Sequence, residues 1–101
     1  MHPIEDKAEV SVDFPDKFYV GSFEGESRYE ARAEGDGLVF RLVREGAEKR
    51  TVSVHLHHYL LAGILSEWAE SLDALPPVDR GHAKELIDAL KKVEKALARR
   101  K

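Results

Sequence analysis

Hydrophobic and polar residues alternate with a changing period along the chain, and each change predicts an element. Residues 1–16 alternate weakly through Val10, Val12 and Phe14 as far as Pro15. This reads as an N-terminal arm, either disordered or forming a short edge strand. From Lys17 the period is two: Phe18, Val20 and Ser22 share one face, Tyr19, Gly21 and Phe23 the other. Glu24-Gly25-Glu26-Ser27 reads as a turn. Arg28 to Glu34 then alternates cleanly, with Tyr29, Ala31 and Ala33 facing a core and Arg28, Glu30, Arg32 and Glu34 facing water. Gly35-Asp36-Gly37 is a hairpin signal, because Gly and Asp tolerate the positive φ of tight turns. Leu38, Phe40 and Leu42 lie on one face of the next strand, Val39, Arg41 and Val43 on the other. After Glu45-Gly46-Ala47-Glu48, a last strand from Arg50 places Val52, Val54 and Leu56 inward and Thr51, Ser53 and His55 outward.

The period then becomes 3.6. Leu61, Ile64, Leu65, Trp68 and Leu72, with Leu75 as its far end if the helix reaches that far, form a helical stripe, widened by Leu60, Ala62 and Ala69 until the first half of the helix is apolar nearly all round. Pro76-Pro77 ends it. A second helix is expected to start at Asp79 as N-cap, with Val78 and Ala83 placed as a hydrophobic staple. Its stripe, Ala83, Leu86, Leu90, Val93 and Leu97, repeats at 3-4-3-4 spacing with Ile87 beside it, which suits helix-on-helix packing.

The expected fold is therefore α+β: a four-stranded antiparallel meander over residues 17–56, with a fifth N-terminal edge strand if the 1–16 arm is ordered. Helices over 57–75 and 79–100 follow, packed on one sheet face. Residues 17–101 read as a single domain, the size that 101 residues allow.

Composition narrows the function classes. There is no cysteine, so no disulfide framework, thiol nucleophile or thiolate zinc site. The first residues lack the apolar run of a signal peptide, and no stretch approaches the length of a membrane span, so a cytoplasmic protein without membrane contact is the default expectation. Sixteen Lys and Arg stand against nineteen Asp and Glu, for a net charge of −3. The charge is unevenly spread: residues 1–27 carry −5, 28–58 carry +1, 59–78 carry −3 and 79–101 carry +4. Lys and Arg toward the end of the last helix suit its dipole.

Candidate chemistry is sparse. His55, His57 and His58 cluster at the strand-to-helix corner. His-x-His on a strand puts two imidazoles on one face, a metal-ligand geometry. No motif supplies a third ligand, so His55 reads as a surface residue and His57 or His58 as part of the first helical turn, and no metal or cofactor is expected. No G-x-S-x-G, P-loop or G-x-G-x-x-G is present, and no catalytic residue stands out. A non-enzymatic protein is expected.

Two binding surfaces remain. Arg28, Arg32, Arg41 and His55, with Tyr19 if its strand pairs as drawn, would hold backbone phosphates and stack unpaired bases on the open sheet face. The four-strand meander entering a helix through Thr51-Val52-Ser53-Val54-x-Leu56, with Trp68 in that helix, resembles the single-stranded-DNA-binding transcriptional coactivators of the PC4 type over residues 17–75. That resemblance implies single-stranded nucleic-acid binding and a transcription accessory role. The net charge of −3 disfavours it. The other surface is apolar. Val39 and Val43 lie opposite Phe40, Trp68 sits on a helix that is apolar beyond one stripe, and Leu86, Leu90 and Val93 add a second seam. One small sheet cannot cover so much apolar area, so a homodimer, with protein partners besides, is the leading expectation.

Overall fold

The computed structural model describes residues 1–76 and 80–99, with the backbone alone for 80–82. Among them the chain forms strands β1 (His2–Pro3), β2 (Ala8–Phe14), β3 (Lys17–Phe23), β4 (Ser27–Glu34), β5 (Gly37–Arg44) and β6 (Arg50–His57), then helices α1 (His58–Asp73) and α2 (Arg80–Arg99). The α+β class and the order of strands before helices are as the periodicity predicts. The capping residues Val78 and Asp79, and Pro77, lie outside the described residues. The chain divides into two compact units, Met1–Ser66 and Glu67–Lys101, and each is described by itself.

β4, β5 and β6 form the expected meander. Glu34 pairs with Gly37 across the two-residue turn Gly35-Asp36, and Arg44 pairs with Arg50 across a longer loop. Gly35 takes φ 54° while Asp36 keeps a negative φ, the arrangement of a turn whose first central position demands glycine.

The placement of β3 corrects the expected four-strand run. β3 does not pair with β4. It folds back on β2 in a separate two-stranded ribbon, from Ala8↔Phe23 to Phe14↔Lys17. The physical reason is local. Pro15 presets φ for a tight two-residue turn, so β2 reaches β3 with little loop entropy. The β3–β4 connection instead holds Gly25 at φ 62°, with the Ser27 N–H donating to the Glu24 carbonyl at 3.2 Å. The place beside β4 is taken by β1, through His2↔Tyr29 and Pro3↔Arg28. The sheet order is β1-β4-β5-β6, so the N-terminal arm supplies both an edge strand and a hairpin strand.

The ribbon is tied to the sheet at the end remote from the Gly35-Asp36 turn. Arg44 donates to the Ser22 carbonyl at 3.4 Å, and the Arg50 guanidinium stands 5.4 Å from the centre of the Tyr19 ring. Among the described residues the buried hydrophobic side chains are Phe23, fully enclosed, and Val43, 3% exposed, with Ser27 buried beside the turn.

One sheet face carries Tyr29, Ala31 and Ala33 of β4 with Leu38, Phe40 and Leu42 of β5 and Val52, Val54 and Leu56 of β6. Those of β5 and β6 are half-buried, and those of β4 are exposed. The start of α1, within the unit Met1–Ser66, leaves its stripe largely uncovered. α1 has no buried residue, only Leu61 is half-buried, and Trp68 is 38% exposed. Leu86, Leu90, Val93 and Leu97 of α2 are exposed as well. The backbone supplies a reason for α1. Doubling back onto a sheet takes a connecting loop of roughly 2–6 residues, and here His57 ends β6 while His58 already begins α1. Among the described residues, no helix is long and apolar enough to cross a membrane.

Gly37 is buried where β5 starts, paired with His57. A Cβ there would run into the backbone carbonyl of Leu56. Gly37→Ala is therefore expected to cost about 1–3 kcal/mol of stability. The check is a lower urea midpoint with an unchanged m-value.

Candidate functional site

The polar face of the sheet is built by register. Glu30 lies directly opposite Arg41, and the Arg41 Nε is 2.8 Å from Glu30 Oε1. Arg32 donates to Glu34 Oε2 at 2.7 Å, and its other terminal nitrogen is 4.0 Å from Glu30. Glu30 thus stands between two arginines, and the charge of Arg32 and Arg41 is matched by carboxylates on the same face. Such solvent-accessible pairs, one across strands and two along β4, add little stability, about 0–1 kcal/mol each, but they lower the positive potential that a phosphate would meet. Arg28 and His55 share this face and are exposed. Tyr19 belongs to the ribbon, half-buried beneath Arg50 rather than on the sheet. The face therefore brings together Arg28, Arg32, Arg41 and His55, but not Tyr19. With β3 outside the sheet, the four successive strands that carried the coactivator resemblance are reduced to three.

The apolar candidates divide. Val43 is a core residue and is withdrawn from any surface for association, because the chain itself encloses it. Val39 is half-buried. Trp68, Leu86, Leu90 and Val93 are exposed, as surface-forming residues must be. On α2 the seam is flanked by Ile87, Ala89, Glu94 and Ala96, while Lys84 and Asp88 form an i,i+4 pair at 3.0 Å, as exposed helical residues do.

The third cluster sits where β6 becomes α1. His55 and His57 are two residues apart on β6, so both rings rise from the same face, stacked at 4.4 Å between centres and 23° between planes. The β4–β5 turn brings Asp36 to the same corner. Its Oδ2 lies 2.9 Å from His57 Nδ1, and its backbone carbonyl accepts from the His58 N–H at 2.8 Å. One residue thereby holds the last ring of the strand and the first amide of the helix. Gly37, opposite His57, adds no side chain to crowd the ring. The hydrogen bond from His57 holds the Asp36 carboxyl below the usual carboxylate range. One ligand atom from each of Asp36, His55 and His57 lies within 4.8 Å of the others.

Motif reading missed Asp36, which reads only as a turn residue. The signal was present in the register. A pairing of Arg44 with Arg50 places Gly37 opposite His57 by simple counting, and Asp36 is the next residue. Comparison of the chain with protein-family models, with curated proteins and with solved structures finds no match.

Proposed function

We propose that this protein is a non-enzymatic interaction module that works through self-association, its two helices supplying the contact surface. The observation that carries this reading is the exposure of whole apolar stripes: Leu60, Ile64, Leu65, Trp68 and Leu72 on α1, and Leu86, Leu90, Val93 and Leu97 on α2. Monomeric proteins rarely expose contiguous apolar patches beyond a few hundred Å². Each Leu or Val left in water forgoes about 1.5–3 kcal/mol of burial free energy.

A second copy of this chain is the partner the seam suits. The α2 stripe has the narrow 3-4-3-4 spacing of paired helices. Its flanks are Ile87, Ala89, Glu94 and Ala96, one charge rather than rows of like charge, so little repulsion runs along the seam. Two-fold dimers are the commonest way to close such a surface. The phosphate-binding reading has less support, since Glu30 and Glu34 already occupy Arg32 and Arg41.

Sedimentation velocity on the full chain tests this. The expected mass is twice 11.4 kDa at micromolar concentration, with dissociation on dilution. A single species at the chain mass across the concentration series rejects the proposal.

A further inference from the structure

The geometry points to a binding site for a divalent transition-metal ion at the β6–α1 corner, with Asp36, His55 and His57 as its protein ligands. Two imidazoles and one carboxylate converge there. Imidazole nitrogen selects zinc, nickel or copper over magnesium and calcium, which prefer all-oxygen shells.

The distances fit an ion. Ligands at about 2.0–2.1 Å from one metal stand roughly 2.9–3.4 Å apart, for angles between octahedral and tetrahedral. Asp36 Oδ2 and His57 Nδ1 are already 2.9 Å apart. An ion coordinated by both takes the place of the proton they share, and that proton leaves to solvent as the ion binds. The remaining ligand atom is within 4.8 Å of the other two, so it must approach by at most about 1.4–1.9 Å. All three side chains are exposed, and a χ rotation covers that distance without moving the backbone.

The backbone around the site is well fixed, which favours binding. β5 and β6 are paired through their whole length up to Gly37↔His57, and the Asp36 carbonyl is tied to the His58 amide. The i,i+2 spacing on a paired strand holds the two rings on one side. Three protein ligands leave at least one coordination position to water or to a further donor, the open form of site rather than the closed four-ligand form. Val39, paired with His55, supplies a half-buried apolar neighbour beside the rings.

The test is isothermal titration of zinc chloride into the full chain prepared without a histidine tag, repeated with nickel chloride. The expected result is saturable zinc binding in the micromolar range. His55→Gln, His57→Gln and Asp36→Asn should each weaken it by about 10- to 100-fold or more. His58→Gln should leave it unchanged, since His58 already belongs to the helix. Far-UV circular dichroism confirms that each variant keeps its fold. As an independent readout, the ring nitrogens of His55 and His57, and not those of His2, should shift in 15N spectra on adding zinc. Absence of saturable binding, or affinity that survives the three ligand substitutions, overturns the proposal.

Discussion

Leu90→Glu is expected to abolish the proposed self-association, leaving a single chain. Leu90 sits mid-seam on α2, and it is 44% exposed in the isolated chain. A glutamate there meets water in the monomer, so the fold of each copy is left intact. In a two-fold dimer the same substitution enters the interface twice. It removes two leucine burials, about 3–6 kcal/mol together, and adds two unpaired carboxylates that burial disfavours. At about 1.4 kcal/mol per tenfold, the dissociation constant should rise by at least 100-fold. Sedimentation at micromolar concentration checks this, with Lys84→Glu, off the seam, as the control that should leave the mass unchanged. A Leu90→Glu protein that still sediments at twice the chain mass would exclude α2 from the interface.

Phe23→Ala is expected to act on folding, destabilising the strand region. Phe23 is fully enclosed, and it is the largest buried side chain among the described residues. Truncating a buried Phe to Ala costs about 3–5 kcal/mol through lost transfer energy and the cavity left behind. Whole domains are stable by only about 5–15 kcal/mol, and this one draws on a small core. Urea titration followed by tyrosine fluorescence and far-UV dichroism should show a large fall in the midpoint, or no folded baseline at all. A loss under about 1 kcal/mol would mean that the core lies elsewhere. Val43 belongs to the same argument. A charge placed there acts on folding, whereas a charge at Leu90 acts on association.

The strands and helices follow from periodicity because alternation and the 3.6 repeat are local properties. The three-strand meander was readable for the same reason: Gly35-Asp36 and the Glu45–Lys49 loop leave β4, β5 and β6 few ways to pair. Pairing of β3 was not readable. Phe18, Val20 and Phe23 suit either neighbour, and the choice falls to the turns, Pro15-Asp16 on one side and Gly25 on the other. The stripes of the helices do not name what covers them. An apolar stripe states that something covers it, and Leu61 to Leu72 look alike whether the cover is this chain's sheet or another molecule. Of the chemical corner, His55 and His57 were visible as neighbours in sequence. Asp36 lies 21 positions before His57, and it joins the cluster only through the register of a hairpin.

The direct junction between His57 and His58 also fixes an angular phase. A strand has a two-residue repeat and a helix turns about 100° per residue. With no loop to absorb rotation, the azimuth of the first turns of α1 is set by the ladder of β6. Each residue added or removed at the junction would swing the apolar stripe by about 100° and shift Asp36 from its amide. The strand end is thus an indexing point for the helix, and the chain can change the length of its Glu45–Lys49 loop far more freely than the length of this joint.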